Sequence, residues 1–72
     1  SLISKELDSI AGLRPEAKGI LEKAVDALRL SARAFYKVVA VARTIADLEG
    51  SADIKREHIM EAISYRPFDR GF

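Results

Sequence analysis

Apolar residues recur at spacings of three and four from Ala34 through Val38, Val41 and Ile45 to Leu48. That period is helical, and no stretch of the chain shows the alternation of a half-buried strand over a useful length. Phe35, Ala42 and Ala46 widen the stripe, while Arg33, Lys37, Thr44 and Asp47 fall on the other side. Ser31 stands where an N-cap is wanted. Leu30 before it and Phe35 four places after it are spaced as a hydrophobic staple, which sets the angle of chain entry. Gly50 is placed to end the helix.

Shorter helices are expected on either side. Ser4 can cap a first helix whose apolar face carries Ile3, Leu7, Ile10 and Ala11. Gly12 fits a left-handed C-terminal cap, with Leu13 as its hydrophobic contact. Pro15 suits the first position of a second helix, where its missing N–H costs nothing, and Glu16 complements the helix dipole there. Ala17, Ile20, Leu21, Ala24 and Leu28 form its stripe. Gly19 lies inside this helix and should cost about 1 kcal/mol against alanine; its small size also leaves room for a backbone to approach. A connection over 51–54 turns Ile54 inward. A fourth helix runs from about Arg56 to Tyr65, with Glu57 in its first turn and Ile59, Ala62 and Ile63 facing the core. Pro67 stops it. The expected fold is all-α, a small four-helix bundle making a single helical domain over residues 1–72.

A chain of 72 residues supports one core. Such a chain buries only about 60% of its unfolded surface, so net stability is expected at about 3–5 kcal/mol. Twelve basic and eleven acidic residues leave a net charge of +1, too balanced to argue for nucleic acid from charge alone. No cysteine is present, which fits a cytoplasmic protein. No membrane span or signal peptide is expected. A start at Ser1 rather than methionine suggests an excised or processed piece.

Catalytic chemistry finds little support, and no catalytic or metal-binding residue is assigned. His58 and Glu61 offer two metal ligands on one helix face, short of the set a metal requires, so a surface or interface histidine is the expectation. Asp47, Glu49 and Asp53 around Gly50 do not meet the spacing of a calcium loop. No phosphate-binding glycine loop exists, so the chain cannot cradle a triphosphate unaided. Lys37, Arg43, Lys55, Arg56, Arg66 and Arg70 are interspersed with acids and lack a stacking platform. Arg43 is spaced for an ion pair with Asp47. Arg33 differs in kind: it follows a capping serine in the first turn of the longest helix, where free N–H groups and the dipole attract anions and a guanidinium adds a planar fork of donors. Taken alone it is more often a surface arginine than a phosphate ligand.

The series LSARAFYKVVAVARTIADLEGS, followed by IKREHIMEAISYRPFDR, closely resembles the C-terminal lid of the magnesium-chelatase-related AAA+ ATPases, the ComM-type group in particular. The resemblance covers roughly Leu13 to Arg70. Its most specific parts are Ser31-Ala32-Arg33-Ala34, the run from Ala42 to Leu48, His58 with Glu61-Ala62, and Tyr65-Arg66 followed by Asp69-Arg70. It implies a small helical domain packed beside an upstream nucleotide-binding domain, with Arg33 as the sensor-2 residue that reaches nucleotide phosphates. Ser31, Lys37, Arg43, His58 and Arg66 become candidate interface positions. The sequence departs from the family at Ala40 and Lys37, where a basic residue and arginine are common; if those positions grip DNA or a neighbouring subunit, the resemblance implies a weaker grip here. Walker and sensor-1 elements would lie upstream, so ATP and Mg belong to the full-length protein and the fragment alone should neither bind nucleotide well nor hydrolyse it. By the same resemblance the parent would be a bacterial, ring-forming, DNA-acting motor. A lid from a magnesium chelatase motor subunit, or a free-standing helical interaction domain, are the alternatives.

Overall fold

The computed structural model describes residues 2–65, with side chains from residue 5 onward. The expectations that concern the Ile3 side chain, Arg66, Pro67, Asp69 and Arg70 lie outside the described residues. Four helices follow in order: α1 (Leu2–Ser9), α2 (Pro15–Leu28), α3 (Ala32–Leu48) and α4 (Arg56–Ser64). The all-α bundle read from the periodicity is what forms. Ser4 lies inside α1 and so cannot cap it. Tyr65 caps α4 instead of belonging to it.

α4 is the central element, packing against both α2 and α3. It contributes Ile59 and Ala62, both fully buried, to a core shared with Ala17 and Leu21 of α2 and with Phe35, Val38, Ala42 and Ala46 of α3. The buried face of α3 is therefore the line from Ala34 and Phe35 through Val38 to Ala42 and Ala46. Val41 and Ile45 are only half-buried, and Leu48, placed in the stripe by its spacing, is 83% exposed. The small alanines win because α4 approaches closely on their side, and close helix packing favours small contact residues. In α1, Leu7 is buried, but Ala11 is exposed beyond the helix end.

The connections are tied together by backbone. Gly12 takes φ +75°, and its carbonyl accepts from the Ile54 N–H at 2.7 Å, while the Arg14 N–H donates to the Ile54 carbonyl at 3.0 Å. A Cβ at position 12 would sit 3.0 Å from the Ala52 carbonyl oxygen, so this glycine answers both a left-handed backbone and a close approach. α3 ends in a Schellman motif: the Gly50 N–H, at φ +75°, donates to Asp47, and the Ser51 N–H to Ala46. Pro15 opens α2 as expected.

Gly19 meets nothing: no atom lies within 4 Å of where its Cβ would be. The alternative of a closely approaching backbone is thus set aside. Gly19→Ala should stabilise the chain by about 1 kcal/mol and raise Tm by roughly 4–8 °C in thermal denaturation.

α1 is held by Leu7 and by two exposed polar straps. The Tyr36 hydroxyl donates to Glu6 Oε2 at 2.6 Å, and Lys18 pairs with Asp8. The bond to Glu6, helped by desolvation and by the Glu6 charge, raises the Tyr36 hydroxyl above the usual phenol range. The bond to Asp8 raises the Lys18 ammonium against the opposing effect of desolvation. Both folded values lie above the unfolded ones, so both straps are intact below the ordinary range, about pH 10, and are lost as pH rises through the raised values. Tm measured between about pH 9 and pH 11 should fall more steeply in the native chain than in Tyr36→Phe, Lys18→Gln.

Candidate functional site

Three residues, Arg29, Leu30 and Ser31, make the corner between α2 and α3. α2 stops at Leu28 because Arg29 adopts a left-handed conformation, φ 54° and ψ 49°, and the N–H groups of Arg29 and Leu30 both return to the Val25 carbonyl. The Leu28 end of the α2 stripe and the Ser31 cap place this break in the sequence, but no glycine or asparagine marks its left-handed residue, Arg29. Leu30 and Phe35 are both buried in the common core, as the staple spacing requires. Ser31 has extended backbone, its Oγ accepts from the Ala34 N–H at 3.1 Å, and its carbonyl accepts from the Phe35 N–H at 2.8 Å. Its role is therefore that of a cap.

Arg33 is the second residue of α3, and it is exposed. No hydrogen bond or ion pair engages it among the described residues. The first turn of α3 contains no acidic side chain. The positive end of a helix of 17 residues and an exposed guanidinium thus share one corner, with no partner for the guanidinium among the described residues. Chemically this corner can accept an anion that offers two oxygens to the guanidinium fork, a phosphate or a carboxylate.

The other sequence-derived positions lie elsewhere. Lys37 is half-buried one turn further along α3. Arg43 is engaged near the far end of the helix through all three of its guanidinium nitrogens. Its Nε and Nη2 contact Asp47 Oδ1 at 3.0 and 2.8 Å, Nη2 donates to the Ser51 carbonyl at 2.9 Å, and Nη1 to the Ala52 carbonyl at 3.2 Å. It holds the α3–α4 connection against α3.

His58 departs furthest from expectation. It is not at the surface or an interface: its exposure is 0%. Nδ1 accepts from the Lys55 N–H at 2.8 Å, capping the start of α4, and Nε2 lies 2.9 Å from Glu49 Oε1 at the end of α3. An acceptor at Nδ1 requires the neutral tautomer with its proton on Nε2, which then donates to the carboxylate. Glu49, Glu57 and His58 bring ligand atoms within 4.8 Å of one another, a grouping that includes Glu57 rather than the expected Glu61. A metal on Nε2 would have to displace that proton while Nδ1 still faces an N–H donor, leaving an imidazolate or a broken cap. The geometry is that of a structural strap. His58→Ala should cost about 2–4 kcal/mol, from the lost cap and the cavity together, which approaches the whole stability of so small a domain. Thermal denaturation of the variant, with Glu49→Gln as the milder comparison, checks this.

Comparison with known proteins places the chain among relatives. The family described as magnesium chelatase, subunit ChlI C-terminal, matches residues 1–66. Competence protein ComM of Haemophilus influenzae is 42% identical over 69 residues, covering 96% of this chain and 14% of that protein. A protein named YifB in Escherichia coli is 44% identical over the same length and shares of each chain. The chain thus spans 14% of the length of these relatives. No solved structure matches it.

Proposed function

This chain belongs to the family of the magnesium chelatase subunit ChlI C-terminal domain, and from that premise we propose that it is the helical lid of a ComM-type AAA+ ATPase, with Arg33 as its phosphate-sensing residue. The observation that carries this reading is an exposed guanidinium in the first turn of α3, unengaged among the described residues, at a helix end whose first turn holds no acid. The identity of 42% to a competence protein supports the ComM-type assignment. The magnesium chelatase description of the family supports a second reading, a lid from a chelatase motor subunit, that uses Arg33 in the same way.

The mechanism follows from charge and rigidity. ATP and Mg would be carried by an upstream nucleotide-binding domain, and this chain supplies no loop to hold them. Arg33 would meet a phosphate only when the lid closes on that domain. Hydrolysis removes charge from the position the guanidinium faces, so the closed arrangement is favoured more by ATP than by ADP. The Ser31 cap, with Leu30 and Phe35 buried behind it, fixes where Arg33 is held. A corner fixed in this way lets a small electrostatic difference move the whole lid as one body. Ring assembly, action on DNA and a cytoplasmic location complete the reading. No helix among the described residues is long and apolar enough to cross a membrane.

Arg33→Ala in the full-length protein should lower ATPase turnover by at least about tenfold. The isolated chain should keep its melting temperature, because an exposed side chain without partners is removed. Arg33→Lys should recover only part of the activity, since a lysine keeps the charge and loses the fork. Normal turnover in Arg33→Ala takes this residue out of the mechanism.

A further inference from the structure

We infer that α1 is a releasable strap: it leaves the other three helices as one piece, and the bond between Glu6 and the Tyr36 hydroxyl is its latch. Three features set α1 apart. Among its described side chains Leu7 alone is buried, and both polar links that hold it are exposed. Neither end carries a charge that favours the helix dipole, since there is no acid in the first turn and no base in the last. At 8 residues it is also shorter than the roughly 12–15 below which an isolated helix is marginal in water, so docking and helix formation stand or fall together.

What stays behind is joined without α1. α2, α3 and α4 share one core, and Arg43 and His58 close the α3–α4 corner through partners that include no α1 residue. The hinge is fixed as well. The Gly12 carbonyl and the Arg14 N–H are both bonded to Ile54, so a swing of α1 is taken up at Ala11, which is exposed, and goes no further. The catch is equally firm: the Tyr36 ring stands edge-on to the buried Phe35 ring, with centroids 5.2 Å apart and planes at 69°. Local opening falls to the part of a fold with few buried apolar contacts and exposed bonds, and α1 is that part.

Release has a chemical consequence. Tyr36 is three residues beyond Arg33 and is its neighbour on the helix surface. Docked α1 therefore holds the Glu6 carboxylate beside the turn that carries Arg33. Release takes that negative charge away and bares the phenol and the seat of Leu7. The docked strap thus lowers the positive potential of the corner, and the released strap restores it. This use rests on the phosphate reading above; the strap itself does not.

Amide hydrogen exchange of the 72-residue chain, followed residue by residue by NMR, tests the strap. The amides of Leu7, Asp8 and Ser9 should exchange at least about tenfold faster than those of Val38 and Ala42 in α3. Ile59→Val, which trims the core on α4, should speed Val38 and Ala42 by about fivefold and leave the three α1 amides unchanged. Tyr36→Phe, which removes the latch and keeps the ring, should speed the three α1 amides by one common factor of about three. Native α1 rates no faster than those of Val38, or α1 amides that speed up with Ile59→Val, would overturn the inference, because α1 would then open only when the whole chain unfolds. So would a response to Tyr36→Phe that is absent or graded from the start of the chain, the mark of fraying without a latch. Failure of the phosphate reading looks different: Arg33→Ala would then leave ATPase unchanged while this exchange pattern stood.

Discussion

The bundle depends on Ile54, a residue in no helix. Its side chain is fully buried, and both of its backbone groups are bonded to the α1–α2 connection at Gly12 and Arg14. Burying a connection leaves polar backbone that must find partners, and a domain of this size has little stability with which to absorb one orphaned group. The single bridge between Leu13 and Ile54 satisfies that demand across two loops distant in sequence. Arg43 completes the arrangement by satisfying two carbonyls of the same connection, and His58 ties the start of α4 to the end of α3. The apolar core then closes around a frame already joined at one end.

This division of labour separates the two ends of α3. At its C-terminal end almost every charged group is engaged internally: Arg43 with Asp47, and Glu49 with His58. At its N-terminal end Arg33 is exposed and has no partner among the described residues. A helix of 17 residues at 1.5 Å per residue puts about 25 Å between them. Structural cost and ligand-facing potential therefore do not compete for the same residues. An arginine serves as an internal clamp at position 43 and stands free at position 33, and only the surroundings distinguish them.

Much of the local architecture was legible because it rests on chemistry between neighbours in sequence. The Ser31 cap, the Leu30 and Phe35 pair, Pro15 at the start of α2, and Gly12 and Gly50 at left-handed positions each follow from backbone geometry over a few residues. What was not legible depended on distant partners. Leu48 has the right spacing for the core, yet α4 covers the alanine side of α3 and leaves it in solvent. His58 looked like a surface residue because neither Glu49 nor the Lys55 N–H can be known as its partner from spacing alone. Arg29 takes a left-handed conformation that its residue type disfavours, held there by the N–H bonds to Val25 and by the burial of Leu30 that follows.

The order of amino acids alone determined that this chain is helical, where its helices begin and end to within a few residues, and which arginine opens the longest of them, since capping, periodicity and turn chemistry act over distances shorter than one helix. Tertiary packing alone decided which face of α3 is buried and that Arg43 and His58 hold the α3–α4 corner. Those outcomes turn on which helix approaches which, and that is set by the joint burial of side chains from α2, α3 and α4 rather than by any one segment.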